Sequence, residues 1–276
     1  MGDCVIHPSA IVSPTAELGC SVRIGPCAIV DSGAKIGDGT VVEPFVHITG
    51  FVETGKNCHI FQNSILGEEP QDHDFGGEKS FVRIGDDVII RENVTISRAT
   101  GEGNETRVGC GTMIMEGCHL GHNVKIGSSC TITNKVGLSG HVAVGDYVVI
   151  GGMTGFHQFV RVGCYAMVGG MSKVIKDIPP YSLADGRPAK IYGLNVIGLR
   201  RRGFTQEQRA RIKSIYKMLY DGNLKRSDAV SLVEESYPGD EFANVIVAFA
   251  GSLKRGLSQW IDGDACGSEQ SSEDLR

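Results

Sequence analysis

The chain has 276 residues, 41% hydrophobic and 21% charged, with a formal net charge of −5 at pH 7. That length buries a sizeable core in one large or two modest domains. The acidic balance argues against a general nucleic-acid binder, and no uncharged apolar run reaches the ~18 residues of a membrane span. Glycine is the outlier at 38 residues, beside 7% aromatics, and a typical chain has only ~7% glycine. Nine cysteines, an odd number with no C-x-x-C pair, and a start without a basic-then-apolar leader point to a reducing, cytoplasmic setting.

From Ile6 an aliphatic residue recurs at every sixth position, through Val12, Leu18, Ile24 and Val30 to Val174, and 25 of 29 such positions are apolar. Composition alone would give about 12. Four residues after each comes a small side chain, as at Ala10, Ala16, Val22, Ala28 and Ala34. Six residues make one short strand and a turn, and three such units close a triangular coil of eighteen. The large residue fills the middle and the small one the corner, which is the pattern of a parallel β-helix. Glycines directly after the aliphatic residue, such as Gly19, Gly25, Gly37 and Gly109, are expected to supply backbone freedom at the turns. Cys4, Cys58, Cys118 and Cys130 fall on the small inward position and read as buried hydrophobes.

Residues 68–82 and 99–106 break the repeat without losing its phase and are expected to be loops leaving the prism, where function often sits. The repeat ends at Val174, and Asp177-Ile178-Pro179-Pro180 marks the exit, so the β-helix is assigned to residues 1–180. Residues 181–260 form a connector, irregular over 181–203, and a helical domain. A Thr205–Gln208 capping box opens a helix over 206–220, Ser227 caps a second over 228–236, and 241–257 form a third. Residues 261–276 read as a polar, disordered tail. Nine basic residues lie between 200 and 226, including Arg200, Arg201 and Arg202. They form either a solvated face or a dock for an acidic or phosphorylated partner.

Taken modulo eighteen, His119, His157, His122 and His141 fall within a five-residue arc on successive coils, at outward positions along one edge. Three readings stand: unconnected surface histidines, a three-histidine zinc site shared between subunits as in the hexapeptide-repeat carbonic anhydrases, or acid–base catalysis by a neutral imidazole. A histidine on a convex prism needs a wall opposite it, and a neighbouring subunit would supply one.

The segment Met115-Glu116-Gly117-Cys118-His119-Leu120-Gly121-His122-Asn123 resembles the His stretch of the acyl-carrier-protein:UDP-N-acetylglucosamine O-acyltransferases. So do Gly140-His141-Val142, the Gly152–Phe159 segment ending in His157-Gln158-Phe159, Gln71-Asp72, and Gly193-Leu194-Asn195 through Arg201-Arg202-Gly203-Phe204. The resemblance spans about residues 5–257 and implies a left-handed β-helix, with the period itself silent on hand. It also implies a cytoplasmic homotrimer with sites between subunits, no metal or cofactor, and UDP-N-acetylglucosamine and 3-hydroxyacyl carrier protein as partners. His122 would be the general base of the first step of lipid A synthesis, with Asn123 beside it and the Gly140 N–H as oxyanion donor. Asp72, His119, His141, His157, Gln158, Asn195, Arg201 and Arg202 would contact substrate, and Gly170 would leave room for a long acyl chain. Three positions depart from the pattern: Asn123 where many relatives have Asp, Asp74 where some have Lys, and Ile197 where some have an acid. The related N-acyltransferases usually carry an extra N-terminal domain, and here the repeat starts at Ile6. A non-catalytic β-helix scaffold would show a flat Thr-rich face rather than an edge of histidines.

Overall fold

The computed structural model describes residues 2–253 and 255–261. Two-residue strands recur every six residues, and each runs parallel to the strand one coil away. Val5–Ile6 pairs with Arg23–Ile24, Ile11–Val12 with Ile29–Val30, and Glu17–Leu18 with Lys35–Ile36. The three series form sheets of eleven, nine and eight strands among the described residues. These are the faces of a left-handed triangular prism with a small helical domain beside it. The large and small hexad residues fill its interior, as at Ile48, Ile60, Leu120 and Ile150 with Ala28, Val46, Val94 and Val124, all buried. Cys58, Cys118 and Cys130 are buried as expected, but Cys4 is exposed, because no coil covers the first one and Ile6 beside it is 43% exposed.

Glycine plays a different part from the one expected. The left-handed backbone occurs three residues after the aliphatic position and is occupied mostly by other residues, among them Asn57, Asp87, Asn123, His141 and Tyr165, each with φ between 53° and 60°. The glycine directly after the aliphatic residue is needed for space instead. A Cβ at Gly37 would lie 2.2 Å from Gly55 O, so only glycine lets neighbouring coils approach at that corner.

Both excursions keep the repeat in phase because each adds a multiple of six residues to its coil. Val52 pairs with Val82 and Ile65 with Thr95, 30 residues on rather than 18. Phe81 pairs with Glu105 and Thr95 with His119, 24 residues on. Strands run to Glu68, resume at Phe81, end again at Ser97 and resume at Glu105, so the loops are residues 69–80 and 98–104, shorter than the sequence implied.

The connector is not irregular. Strand Ser182–Gly186 continues the eleven-stranded sheet in parallel with Met167–Val168, and Ala189–Leu194 turns back antiparallel and covers its edge. Four helices follow: α1 Val196–Arg201, α2 Gln206–Leu219, α3 Arg226–Ser236 and α4 Glu241–Gly251. The Thr205–Gln208 capping box forms on α2. Ser227 does not cap α3, which begins one residue before it; its hydroxyl donates to Asp228 Oδ1 at 2.9 Å. Helix α4 stops at Gly251 because the following chain returns to close the prism. Gly256 O accepts the Asp177 N–H, Gln259 O accepts the Ile191 N–H, and Trp260 packs against the core. Of the tail expected over 261–276, only Ile261 lies within the described residues.

Candidate active site

Three successive coils stack their turns at one corner of the prism. The first carries Gly121, His122 and Asn123, the second Ser139, Gly140 and His141, and the third His157, Gln158 and Phe159. Asn123, His141 and Phe159 all take the left-handed backbone, with φ of 59°, 59° and 68°. The rings there meet: His141 stacks on Phe159 at 4.7 Å between centroids and meets the His122 ring edge-on at 5.1 Å. The one-coil spacing expected for His122 and His141 therefore holds. The outward exposure expected for His122 does not. It is only 6% exposed, because the two loops fold over it.

The hydrogen bonds around His122 fix its tautomer. Thr100 N–H and the Thr100 hydroxyl both donate to Asn123 Oδ1 at 2.9 Å, and Asn123 Nδ2 donates to Thr100 O at 3.0 Å. Those backbone partners leave one orientation for the amide. His122 Nδ1, 2.9 Å from Asn123 Oδ1, must then carry the proton and donate it. In the neutral ring the lone pair is then on Nε2, which faces Gln158 Nε2 at 3.4 Å and Asp72 Oδ2 at 3.6 Å. Gly140 is packed so tightly below that a Cβ there would lie 2.2 Å from His122 Nε2. Its N–H has no acceptor among the described residues.

A groove of about 880 Å³ runs from this corner across the sheet face. Its floor is the in-register series His119, Gly137, Gly155 and Lys173. The two glycines leave it bare, since nothing lies within 4 Å of a Cβ at either position. Met153 and Ile175 give it apolar wall, and Arg187 joins Lys173 near its far end. Burial pushes the His119 imidazole below its ordinary pKa, and Thr95 Oγ1 lies 2.7 Å from its Nδ1.

The structure thus gathers His119, His122, Asn123, Gly140, His141, His157, Gln158 and Asp72. Gly170 stands at the neighbouring corner beyond Met153, where a Cβ would come 3.3 Å from Gly152 O. Asn195, Arg201 and Arg202 are not brought to His122 within the chain. Asn195 caps α1 and donates from Nδ2 to Tyr165 O at 2.9 Å, and Arg202 lies over the Tyr147 ring at 4.7 Å. Both tyrosines belong to the third corner, six residues further along each coil from the histidine corner. Sequence reasoning missed Thr100 and the bare floor at Gly137 and Gly155. Thr100 lay inside a flagged loop, and the glycines occupy outward strand positions where a side chain is ordinary. Among the described residues no three His, Cys, Asp or Glu side chains converge as metal ligands.

A family profile described as "Udp N-acetylglucosamine O-acyltransferase; Domain 2" matches residues 177–258, and one described as "Bacterial transferase hexapeptide (six repeats)" matches residues 105–140. The acyl-[acyl-carrier-protein]–UDP-N-acetylglucosamine O-acyltransferase of Thermodesulfovibrio yellowstonii is 42% identical over 253 residues, covering 91% of this chain and 98% of that one. The chain belongs to this O-acyltransferase family. The Chlamydia caviae member is 42% identical over 261 residues, covering 94% of each chain. Among solved structures, the UDP-N-acetylglucosamine acyltransferase of Francisella novicida superposes with a TM-score of 0.89 at 35% identity, covering 99% of both chains. The O-acyltransferase relatives are enzymes, and no helix among this chain's described residues is long and apolar enough to cross a membrane.

Proposed function

We propose that the chain transfers a 3-hydroxyacyl group from acyl carrier protein to the 3-hydroxyl of UDP-N-acetylglucosamine, in the cytoplasm, as the first step of lipid A synthesis. The observation that carries this reading is a buried His122, held through Nδ1 so that Nε2 bears the lone pair of the neutral ring, against a Gly140 whose N–H has no acceptor among the described residues. Nε2 takes the proton of the sugar hydroxyl as its oxygen attacks the thioester carbonyl, help worth ~10²–10⁴ in rate. The tetrahedral oxyanion accepts the Gly140 N–H, a kind of donor whose loss costs about 2.7–4 kcal/mol. Collapse breaks the carbon–sulfur bond, and the imidazolium returns the proton to the leaving thiolate. Products are the sugar ester and the free carrier thiol.

Asp72, Gln158 and His141 surround the reacting hydroxyl, with His119 on the groove floor and His157 on its wall. Gly170, without a side chain, favours a long acyl chain. Asn195, Arg201 and Arg202 stand at a different corner from His122, and a neighbouring protomer in a homotrimer would carry its copies into the groove. Exposed Lys213 and Lys217 on α2, with no carboxylate partner among the described residues, suit an acidic carrier protein.

The test is a mixture of purified chain, UDP-N-acetylglucosamine and 3-hydroxyacyl carrier proteins without added metal, with product followed by mass spectrometry. An O-linked ester should form, and His122→Ala should lose turnover while keeping its size in solution. Undiminished turnover in His122→Ala would refute the base assignment. Turnover only with zinc, or on a 3-amino sugar alone, would refute the reaction.

A further inference from the structure

Arg98 is only 5% exposed. Its guanidinium carbon lies 4.1 Å from the centroid of the Phe51 ring and 4.7 Å from that of Phe75. Nη1 donates to Glu78 O at 3.0 Å, Nη2 reaches Glu69 Oε1 at 3.4 Å, and the backbone N–H donates to Glu68 O. Nε has no hydrogen-bond partner among the described residues. Glu69, Phe75 and Glu78 lie at the start, middle and end of the 69–80 loop, so one side chain grips that loop at three points.

As a stabilising device this arrangement is poor. A buried cation with an unsatisfied nitrogen and one largely exposed carboxylate is easily bettered by an apolar side chain of similar volume. The grip does have a consequence at His122. The 69–80 loop carries Asp72, whose Oδ2 is 3.6 Å from His122 Nε2. Glu78 extends the hold to the second loop, its carboxylate accepting the Gly101 N–H at 2.6 Å and the Gly76 N–H at 2.8 Å. Those bonds, the one to Gly101 foremost, hold the Glu78 carboxyl below the usual carboxylate range. Next to Gly101 is Thr100, which fixes Asn123 and through it Nδ1 of His122. Both nitrogens of the imidazole are therefore oriented from loops that meet at Arg98.

We propose that Arg98 is a positioning residue: by gripping the 69–80 loop it sets the Asp72 carboxylate against Nε2 of His122. The proposal rests on His122 being the base. Losing the grip would free the loop that holds the Asp72 carboxylate 3.6 Å from Nε2, so Arg98 and Asp72 act on the base as one unit.

The test uses the full chain with Arg98→Gln, Arg98→Lys, Asp72→Asn and the double variant Arg98→Gln/Asp72→Asn. Arg98→Lys keeps the cation but cannot span two rings, a carbonyl and a carboxylate, and it guards against a folding failure in Arg98→Gln. Amide exchange over 69–80 should quicken in both Arg98 variants while residues 113–156 keep wild-type protection. Activity, kcat/KM for the nucleotide sugar, should fall on the order of 10²-fold, the scale of a ~1 Å misplacement. The losses in Arg98→Gln and Asp72→Asn should not multiply: the double variant should be no worse than the weaker single one, which two independent structural lesions would not give. Unchanged loop exchange, or losses that multiply in the double variant, would each overturn the proposal. Wild-type chain without acyltransferase activity would instead sink the proposed function, and the exchange data would still decide the grip.

Discussion

Asn123 accepts the Nδ1–H of its chain neighbour His122 at 2.9 Å, with an amide oxygen that two donors of Thr100 hold in place. An amide can orient the imidazole but cannot offset the charge that develops when Nε2 takes a proton. Asn123→Asp puts a carboxylate at that spot and favours the imidazolium. That charge develops only as the hydroxyl proton is transferred, so the change should fall on kcat and leave KM nearly as it was. The same change removes the Nδ2 bond to Thr100 O and should cost about 1 kcal/mol of stability. Steady-state kinetics of both proteins, and their melting curves, check this. An unchanged kcat would mean that position 123 does not reach the base.

Two glycines with different surroundings should respond oppositely to the same substitution. A Cβ at Gly109 would lie 2.5 Å from the carbonyl carbon of Gly127, so Gly109→Ala must push two coils apart. Overpacking of that kind costs about 1–3 kcal/mol, and for a chain of this size each kcal/mol is roughly 2–4 °C in Tm. At Gly137 nothing lies within 4 Å, so Gly137→Ala should leave Tm nearly unchanged and show its effect in KM. Calorimetry of the two variants beside steady-state kinetics separates the cases. Equal Tm losses would contradict the bare groove floor.

The contrast shows what can be read from a linear chain. The coil is legible because its determinants are local: an aliphatic residue at Ile24, Ile36 or Ile132 finds the same neighbours eighteen residues away wherever it falls. The corner that stacks His122, Gly140 and Gln158 follows from that period alone. The position of Asp72 does not, because the path of its loop is set by Phe51 and Arg98, on separate coils, and by no repeat. Cys4 shows a second limit. Its position in the hexad is inward, but inward means buried only where a coil lies above as well as below. The reach of Asn195 and Arg202 toward the tyrosine corner depends on how the Ser182–Leu194 hairpin turns, and its antiparallel return was read as irregular chain.

The cysteines divide sharply by reactivity. Burial pushes the thiols of Cys118 and Cys130 up to about 11, while Cys4, Cys20, Cys27 and Cys110 are exposed. Alkylation by iodoacetamide near pH 8 should label the exposed four first and leave Cys118 and Cys130 unmodified until the chain unfolds, since the thiolate is the nucleophile. Peptide mass spectrometry over a time course reads the order. The same two thiols make the fold alkali-sensitive. Their folded pKa lies above the ordinary 9.0, so their contribution is intact below about 9 and is lost as pH rises toward 11. Early labelling of Cys118 in the folded chain would contradict its inward placement.

His119 sets the acid side. Burial holds its pKa below the ordinary 6.5, so the unfolded chain binds a proton there that the folded chain refuses. Its contribution is therefore present above about 6.5 and is lost as pH falls through the lower folded value. His119→Gln keeps a polar side chain within reach of Thr95 Oγ1, now 2.7 Å from the imidazole Nδ1, and removes the titration. Melting temperatures of the two proteins should run parallel above neutral pH and separate below it, with the glutamine variant declining less steeply. Nε2 of His122 is untouched by the change, so proton abstraction survives, and any loss in activity should fall on KM through the groove floor to which His119 belongs. Parallel melting curves down to about pH 5 would show that the imidazole at 119 takes up its proton as readily in the folded chain as in the unfolded one.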